Sequence, residues 1–520
     1  MRNYLLLLVS FASMSSLRAQ DTFERIYYST TSRQRNLIEL NSGNILAAFS
    51  WYPGVSLLDP AGNFIESKCF YGDSVLTMAS IKKYSTNEFY FATTYRKDSC
   101  TMSGSIMVQH SRPAIGRMDS LGNITDLRHY ALNAACGNFP GDLELLQDKG
   151  MAVWGSKDRL FLLRIDSLGD PLWARRFERE GTFQFVKELS GGDLLAGFDL
   201  DSVGAVVARF DPEGNFIWCK SYMRPLGRIH DLVIESDDSF VITGYTGNTP
   251  YKLFMMKLNG NGEVQWCRGY DSPPNGWGNL YRSRLRRTLD GNYVFLATLG
   301  SPTWPYYISR PFLMKTDTNG DTLWTRSVGA AGFIYNTGDL LVCSDGGFMF
   351  SGTVLGDLPE NQSGLPFIFK ADSNGHFPCN EREQQVEIVD LFPTDSAIVL
   401  ASVDGATVHP AFVNDTTLAP LSVYDACMYT PVETYSRQYP NRPTIRPNPN
   451  TGRFTVQFED PLMAESYYSV YDAMGKLLLQ RRVPPGAMVE EVDLSRFGSG
   501  TYVIKFTSPD GVCHERVVVE

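Results

Sequence analysis

Phe210-Asp211-Pro212-Glu213-Gly214, followed by Trp218-Cys219-Lys220-Ser221-Tyr222, is the stretch from which the fold can be read. An apolar residue followed by Asp-x-x-Gly is hairpin-turn chemistry, with the glycine supplying φ > 0. The strand beyond alternates with period two, so Trp218, Lys220 and Tyr222 share one face and Cys219 and Ser221 the other. Trp173-Arg175-Phe177 and Trp266-Arg268-Tyr270 repeat the bulky face, and Trp324-Arg326 keeps its first half. Bulky faces packed on neighbouring small faces suit blades wrapped around an axis, so the aromatic stripe reads as scaffold. A cation over each ring adds about 0.5–1 kcal/mol where exposed.

The turn recurs at Asp59–Gly62, Asp119–Gly122, Asp166–Gly169, Asp211–Gly214, Asn259–Gly262, Asp317–Gly320 and Asp372–Gly375. The spacings of 60, 47, 45, 48, 58 and 55 residues average about 52, close to a kelch-type propeller blade. A second turn-then-strand motif interleaves with the first: Gly43-Asn44, Asn87-Glu88, Gly150-Met151, Gly192-Asp193, Asp238-Ser239, Gly291-Asn292 and Gly346-Gly347. Two interleaved motifs, each present seven times, predict an all-β, seven-bladed β-propeller. After the seventh turn Pro378 spoils a ladder strand. Phe23-Glu24-Arg25-Ile26-Tyr27, near the N-terminus, copies the Trp-Lys-Tyr alternation. Residues 22–29 are therefore expected to supply the outer strand of the seventh blade and close the ring.

The chain has 520 residues, 43% hydrophobic and 20% charged, and a net charge of −10. That composition supports a buried core and argues against a nucleic-acid partner, which needs basic surface. Arg2, the apolar run around Leu5, Leu6, Leu7, Leu8 and Val9, and the small residues before Ala19 and Gln20 read as a signal peptide over 1–19, cleaved between Ala19 and Gln20. A buried N-terminal helix is the other reading of this stretch. Its removal leaves a charge of −12. No transmembrane span is expected elsewhere. None of the nine cysteines forms a CxxC pair. Cys100 with Cys136 and Cys379 with Cys427 are conceivable disulfides, while most of the nine read as small buried hydrophobes. Cys219 and Cys267 occupy equivalent places in successive blades and are not expected to pair.

The domain reading is a signal peptide at 1–19, a propeller at 20–380, a linker or small β unit at 381–442, and a terminal domain at 443–520. In the last, Phe454 to Phe458, Tyr468 to Tyr471 and Tyr502 to Phe506 alternate as half-buried strands, giving a small Ig-like antiparallel β-sandwich. Three landmarks stand out: Pro447-Asn448-Pro449-Asn450-Thr451-Gly452, Val470-Tyr471-Asp472-Ala473-Met474-Gly475, and Asp493-Leu494 through Gly500-Thr501-Tyr502. In order, spacing and terminal position they resemble the type A C-terminal sorting domain of type IX secretion substrates. Many relatives end in a basic segment, whereas this chain closes with Val517-Val518-Val519-Glu520. The resemblance implies a Gram-negative source, handling by the type IX machinery, passage through the periplasm, and cargo anchored at the cell surface or released.

Signs of chemistry in the cargo are sparse. The histidines at 110, 129, 230, 376, 409 and 514 show no HExxH or other close ligand spacing, and there is no GxSxG elbow or P-loop. Asp317-Thr318-Asn319-Gly320-Asp321 faintly resembles a calcium loop, but its glycine is fourth rather than sixth and a hairpin turn explains every copy. No cofactor is predicted, with calcium the one candidate. The repeat is interrupted by insertions at 271–285, with Trp277 and Tyr281, and at 300–311, with Trp304, Tyr306 and Tyr307. Residues 95–113 form a third, polar insertion. Aromatics on Pro/Gly-rich loops are candidate ligand contacts, a platform for sugar rings or a partner surface, unless they only cap the blades. Two function classes follow: an adhesin-like surface protein binding a glycan or protein, or an extracellular hydrolase or lyase with acids at the propeller mouth; a structural surface-layer protein is a third reading.

Overall fold

The computed structural model describes residues 22–28, 34–49, 54–71, 75–101, 107–132, 139–156, 159–201, 203–222, 225–247, 251–271, 283–300, 309–330, 333–356, 364–411, 413–417, 422–427, 443–458, 461–462, 466–472, 476–508 and 511–520. They form two compact units, divided at Tyr429 and Thr430.

The first unit is a seven-bladed β-propeller. In the fourth blade Gly181–Glu188, Leu194–Leu200, Gly204–Phe210 and Phe216–Tyr222 form an antiparallel meander. The first, second, third and fifth blades begin at Gln34–Glu39, Val75–Lys83, Pro140–Leu145 and Leu226–Ile234 and have the same strand order. The sixth runs from Arg284–Arg287 to Thr322–Ser327. The seventh takes Ile334–Val342, Phe348–Leu355 and Leu365–Ala371 from one end of the chain. Its fourth strand is Phe23–Tyr28, antiparallel to Leu365–Ala371 with Arg25 opposite Ile368. That is the closure strand expected from the Phe-Arg-Tyr alternation. The insertion at 95–113 differs from the expected loop. Glu88–Thr101 and Met107–Asp119 pair through it as one long hairpin, with Cys100 opposite Val108.

The repeated hairpin has one physical job. The leading Asp or Asn accepts backbone N–H groups two and four residues on, as Asp59 does from Ala61 and Asn63 and Asp317 from Asn319 and Asp321. In five of the seven turns the closing glycine, at 62, 214, 262, 320 and 375, lies under an aromatic of the preceding blade, while Gly122 meets Val55 and Gly169 meets Arg128. The Trp173 indole donates to the Pro212 carbonyl at 2.8 Å, and the Tyr222, Tyr270 and Tyr27 hydroxyls donate to the Gly262, Gly320 and Gly62 carbonyls at 2.7, 2.7 and 2.8 Å. Buried aliphatic and aromatic side chains fill the space between blades, as Phe177, Phe183, Phe198 and Phe210 do between the third and fourth.

Residues 381–442 depart from the expected linker or small β unit. Beyond the bridge between Ser327 and Arg382 on the sixth blade, the chain runs back around the ring. Glu387–Asp390 becomes a fifth strand on the fifth blade, Asp395–Ala397 on the fourth, Ser402–Asp404 on the third and Ala406–Pro410 on the second. Asn414–Thr417 follows on the first and Ser422–Asp425 on the seventh. Cys379 and Cys427, 48 residues apart, are joined by a disulfide, so this girdle is a covalently closed ring around the propeller. A chain of that length extended at about 3.3 Å per residue reaches roughly 160 Å. That is the circumference of a circle about 50 Å across, which four inter-strand steps of about 4.8 Å either side of a narrow channel also give. The girdle is therefore close to fully extended.

The basic residue in the aromatic stripe has a partner here that the sequence reading did not supply. Lys220 reaches Asp395 at 3.1 Å and Arg326 reaches Glu381 at 2.9 Å, while Arg25, Arg175 and Arg268 pair with Asp425, Asp404 and Asp390. Each such half-exposed pair contributes about 0–1 kcal/mol. Their value is in fixing register for strands of three to five residues. Arg175 and Arg326 also lie over the Trp173 and Trp324 rings.

The second unit is a two-sheet sandwich. Thr444–Arg446, Arg453–Gln457 and Val489–Asp493 make one sheet, and Ser466–Tyr471, Leu477–Val483, Gly500–Ser508 and Gly511–Val519 the other. Phe454, Val456, Val470, Leu494, Ile504 and Val517 fill the space between them.

Candidate functional site: the propeller channel and the terminal domain

The first strand of every blade faces the axis, and together the seven line a central cavity of about 490 Å³. Its wall carries Lys82, Asp142, Glu144, Lys187, Asp231, Arg284, Arg286 and Asp339. Several of these side chains sit at register irregularities. The pairing slips between Pro140 and Asp142, between Ile229 and Asp231, and between Thr337 and Leu340. A bulge re-aims a side chain, which is how polar residues on buried strands come to face the channel.

The charges are tied from blade to blade. Arg286 of the sixth blade bridges Asp231 of the fifth at 2.7 Å and Asp339 of the seventh at 3.0 Å. The other Asp339 oxygen accepts the Leu37 amide of the first blade at 3.1 Å, and the Asn36 side-chain oxygen, Oδ1, accepts the Ile81 amide of the second at 3.2 Å. Lys187 bonds both oxygens of Glu144 at 2.7 Å, and Lys82 lies 3.6 Å from Asp142. Burial on its own would raise the Asp142 and Asp231 carboxyls. The charges of Lys82 on one and of Arg286 and Arg284 on the other more than offset it, so both are held below the ordinary carboxylate range. The same charges act in reverse on Lys82, whose burial is outweighed by Asp142 and Glu144, and its ammonium is held above its usual value.

None of the lining residues of this cavity is a histidine or tyrosine. His230 is buried against Ser283 and His129 is stacked between Tyr95 and His409. Cys69, Cys219, Cys267 and Cys343 are free and buried, and burial pushes the thiols of the last three up to about 12. Trp277, Tyr281, Trp304, Tyr306 and Tyr307 lie outside the described residues, as do Ala19 and Gln20. The polar channel went unnoticed in the sequence in part because Asp142, Asp231 and Asp339 fall at bulges, where period-two alternation breaks.

In the terminal unit the first and third landmarks meet at the last strand, and the second ends a strand of the same sheet. The Asn448 side chain donates to the Arg516 carbonyl at 2.7 Å and accepts the Val518 amide at 2.9 Å, acting as a strand residue would. Pro447 and Pro449 flank it, both after cis peptide bonds. Asn450 adds a backbone bond to Val518 and accepts the Gly452 amide on its side chain. Gly452 packs so closely on Ser495 that a Cβ would fall 2.7 Å from its Cα, and its carbonyl accepts the Leu494 amide. Asp493 caps the following turn through Ser495 and pairs with Arg453, and Leu494 is wholly buried. The Tyr502 hydroxyl donates to the Phe497 and Gly498 carbonyls, just before Gly500. Tyr471 ends its strand beside Asp472, whose carboxylate accepts the Lys476 amide across a turn; Gly475 lies outside the described residues.

Residues 444–520 match the family model of the secretion system C-terminal sorting domain. They are a sorting domain. The domain directs the chain to the type IX machinery and so to the cell surface or the extracellular space. Among helices, none in the described residues is long and apolar enough to cross a membrane. No curated protein matches the chain. Among solved structures, a protein of unknown function from Bacteroides caccae is similar at 11% identity and a TM-score of 0.35, covering 58% of this chain and 93% of its own. A protein of unknown function from Dyadobacter fermentans is similar at 9% identity and a TM-score of 0.34, covering 68% and 96%. The extracellular domain of a putative one component system from B. thetaiotaomicron aligns over 96% of this chain and 98% of its own, at 9% identity and a TM-score of 0.19. The sorting domain thus names the route, and the propeller is what it delivers.

Proposed function

We propose that the delivered propeller is a binding module of the cell surface, adhesin-like, whose ligand is a glycan or a surface protein seated at the channel mouth. The observation that carries this is the blade-to-blade pairing of the channel charges. Asp142, Glu144, Asp231 and Asp339 are each committed to a lysine or arginine of another blade. Paired in this way, they present a fixed mosaic of charge to a polar ligand. A glycosidase-type hydrolase instead needs one carboxyl kept protonated near neutral pH, and the pairing of Asp142 and Asp231 works against that. The aromatic insertions carrying Trp277, Tyr281, Trp304, Tyr306 and Tyr307 would extend the seat. Residues 1–19 act in the same reading as a cleaved export signal, which N-terminal sequencing of the exported chain checks.

The test is binding of the full exported chain to a broad glycan array, with and without calcium. Saturable binding weakened by Lys187→Gln seats the ligand in the channel. Binding lost on Trp304→Ala alone moves it to the insertion. Absence of any glycan binding removes the sugar and leaves a protein ligand.

A further inference from the structure

The girdle is fastened beside a buried acid. Glu24 lies on the closure strand, 0% exposed, opposite Phe369 on one side. On the other, its carbonyl accepts the Ala426 amide at 2.8 Å, one residue before Cys427. Its carboxylate and the sulfurs of Cys379 and Cys427 lie within 4.8 Å of one another. One carboxyl oxygen accepts the Asn380 side-chain amide at 3.2 Å, and the same amide nitrogen is 3.1 Å from the Cys379 sulfur. The other oxygen, Oε1, is buried with no hydrogen-bond partner. Both cysteines are only half-buried, so the disulfide is reached from solvent while the acid lies beneath it.

We propose that Cys379–Cys427 is a redox latch on the girdle, and that Glu24 is the acid–base group that works it. Opening begins when an external thiolate attacks one sulfur. The S–S bond breaks, a mixed disulfide forms, and the departing sulfur takes the proton from the Glu24 carboxyl rather than leaving as a thiolate beside it. A second external thiolate then resolves the mixed disulfide. It releases the second protein thiol, protonated from water, and an oxidised external disulfide that carries away the two sulfur oxidations. Water re-protonates Glu24. Closing reverses each step, with an external disulfide as oxidant and the Glu24 carboxylate as proton acceptor. Either protein sulfur can serve as the leaving group, because both lie within 4.8 Å of the carboxyl. An unpartnered buried oxygen has a structural cost, and a proton shared with a sulfur explains why it stands where it does.

The surroundings favour the acid form. Burial pushes the Glu24 carboxyl up to about 8 against the opposing bonds from Asn380 and Cys379, and Asp425 and Glu381 add to the rise. Asp425 is itself paired with Arg25, and Glu381 with Arg326 and His376. Tyr335 also senses it. At neutral pH the proton is therefore in place for opening.

The full chain would be reduced with glutathione, quenched with an alkylating reagent, and the Cys379 and Cys427 peptides quantified by mass spectrometry from pH 6 to 10. Rates are expressed per glutathione thiolate, which removes the titration of the attacking thiol. The native chain should open at a constant rate up to about pH 8 and slow above it. Glu24→Gln should open about tenfold more slowly at pH 7 and show no such fall. Equal rates and equal profiles for the two proteins would overturn the proposal. Should Glu24→Gln fail to fold, the native profile alone decides, since a rate constant flat through pH 10 also overturns it.

Discussion

The Tyr27 hydroxyl donates to the Gly62 carbonyl at 2.8 Å, and this bond joins the last blade of the ring to the first. Tyr27 comes from the closure strand and Gly62 from the first repeated turn, so the contact spans the seam. The same bond recurs inside the ring at Tyr222 with Gly262 and Tyr270 with Gly320. The seam is thus built like any other blade junction. Phe23, Ile26 and Tyr27 are all buried there. Deleting residues 21–30 should abolish cooperative unfolding, read as loss of a sharp melting transition. Tyr27→Phe, which removes only the hydroxyl, should cost about 1 kcal/mol.

Two glycines of the fourth blade separate strain from packing. Gly214 and Gly192 have similar φ of 80° and 87°. A Cβ on Gly214 would fall 2.8 Å from the Trp173 ring, whereas one on Gly192 has nothing closer than 3.9 Å. Gly192→Ala should cost about 1 kcal/mol from backbone strain alone, and Gly214→Ala at least about 2 kcal/mol more as the ring is displaced. Denaturant midpoints of the two variants check the order.

The girdle disulfide closes a separation of 48 residues. Cys379→Ser should lower stability to guanidinium by about 4 kcal/mol in the chain-entropy account. Because the girdle strands are short and exposed, hydrogen exchange at Glu387–Asp390 and Ser402–Asp404 should quicken before any in the blades.

Asp199 gives stability a slope between acid and neutral pH. It is buried, bonded to the Ile229 amide and the Gln184 side chain, and burial raises its carboxyl to about 7. A carboxyl raised on folding binds a proton that the unfolded chain has released, so stability falls as pH rises from about 4 to 7; Glu24 extends the loss to about 8. Asp142 and Asp231 act oppositely: both carboxyls are lowered, so their contribution is complete above about pH 4 and is lost in acid. Melting temperature should therefore peak near pH 4, and Asp199→Asn should reduce its decline between pH 5 and 8.

Asn448 holds the terminal strand by two bonds of its side chain. Asn448→Ala should destabilise the sorting domain by about 2 kcal/mol. Cell fractionation should then find the chain retained in the periplasm, in proportion to the unfolded fraction of that domain.

The parts legible in the sequence are those where one residue type has a single structural answer. The Asp-x-x-Gly turns counted the blades because only such a turn satisfies Asp59, Asp119 or Asp317 on its own backbone. Phe23 to Tyr27 announced the closure because it repeats an alternation found elsewhere. The girdle was not legible as such. Val386 to Leu391 and Ala397 to Val403 do alternate, and Ile388, Leu391, Ile398 and Leu400 pack on the blades, but strands as short and exposed as Asp395–Ala397 and Ser402–Asp404 carry no sign of which blade they join. What places them is a carboxylate opposite a cation some 120 to 400 residues away, as Asp390 is to Arg268 and Asp425 to Arg25. The channel was hidden for a related reason, since Asp231 and Asp339 follow bulges that the alternation rule reads as noise.

The closed girdle also fixes how the molecule bears a load. A pull on the chain beyond Cys427, as when the sorting domain is held by machinery or membrane while the cargo is drawn upon, does not travel back along the girdle. It crosses the disulfide to Cys379 and enters the seventh blade at the end of its last turn. The short exposed strands between are shielded from tension, and cannot be peeled one blade at a time. The propeller is in that sense hung from a loop with its knot at the point of suspension. A tethered surface protein so arranged should yield under force only when the seventh blade itself gives way.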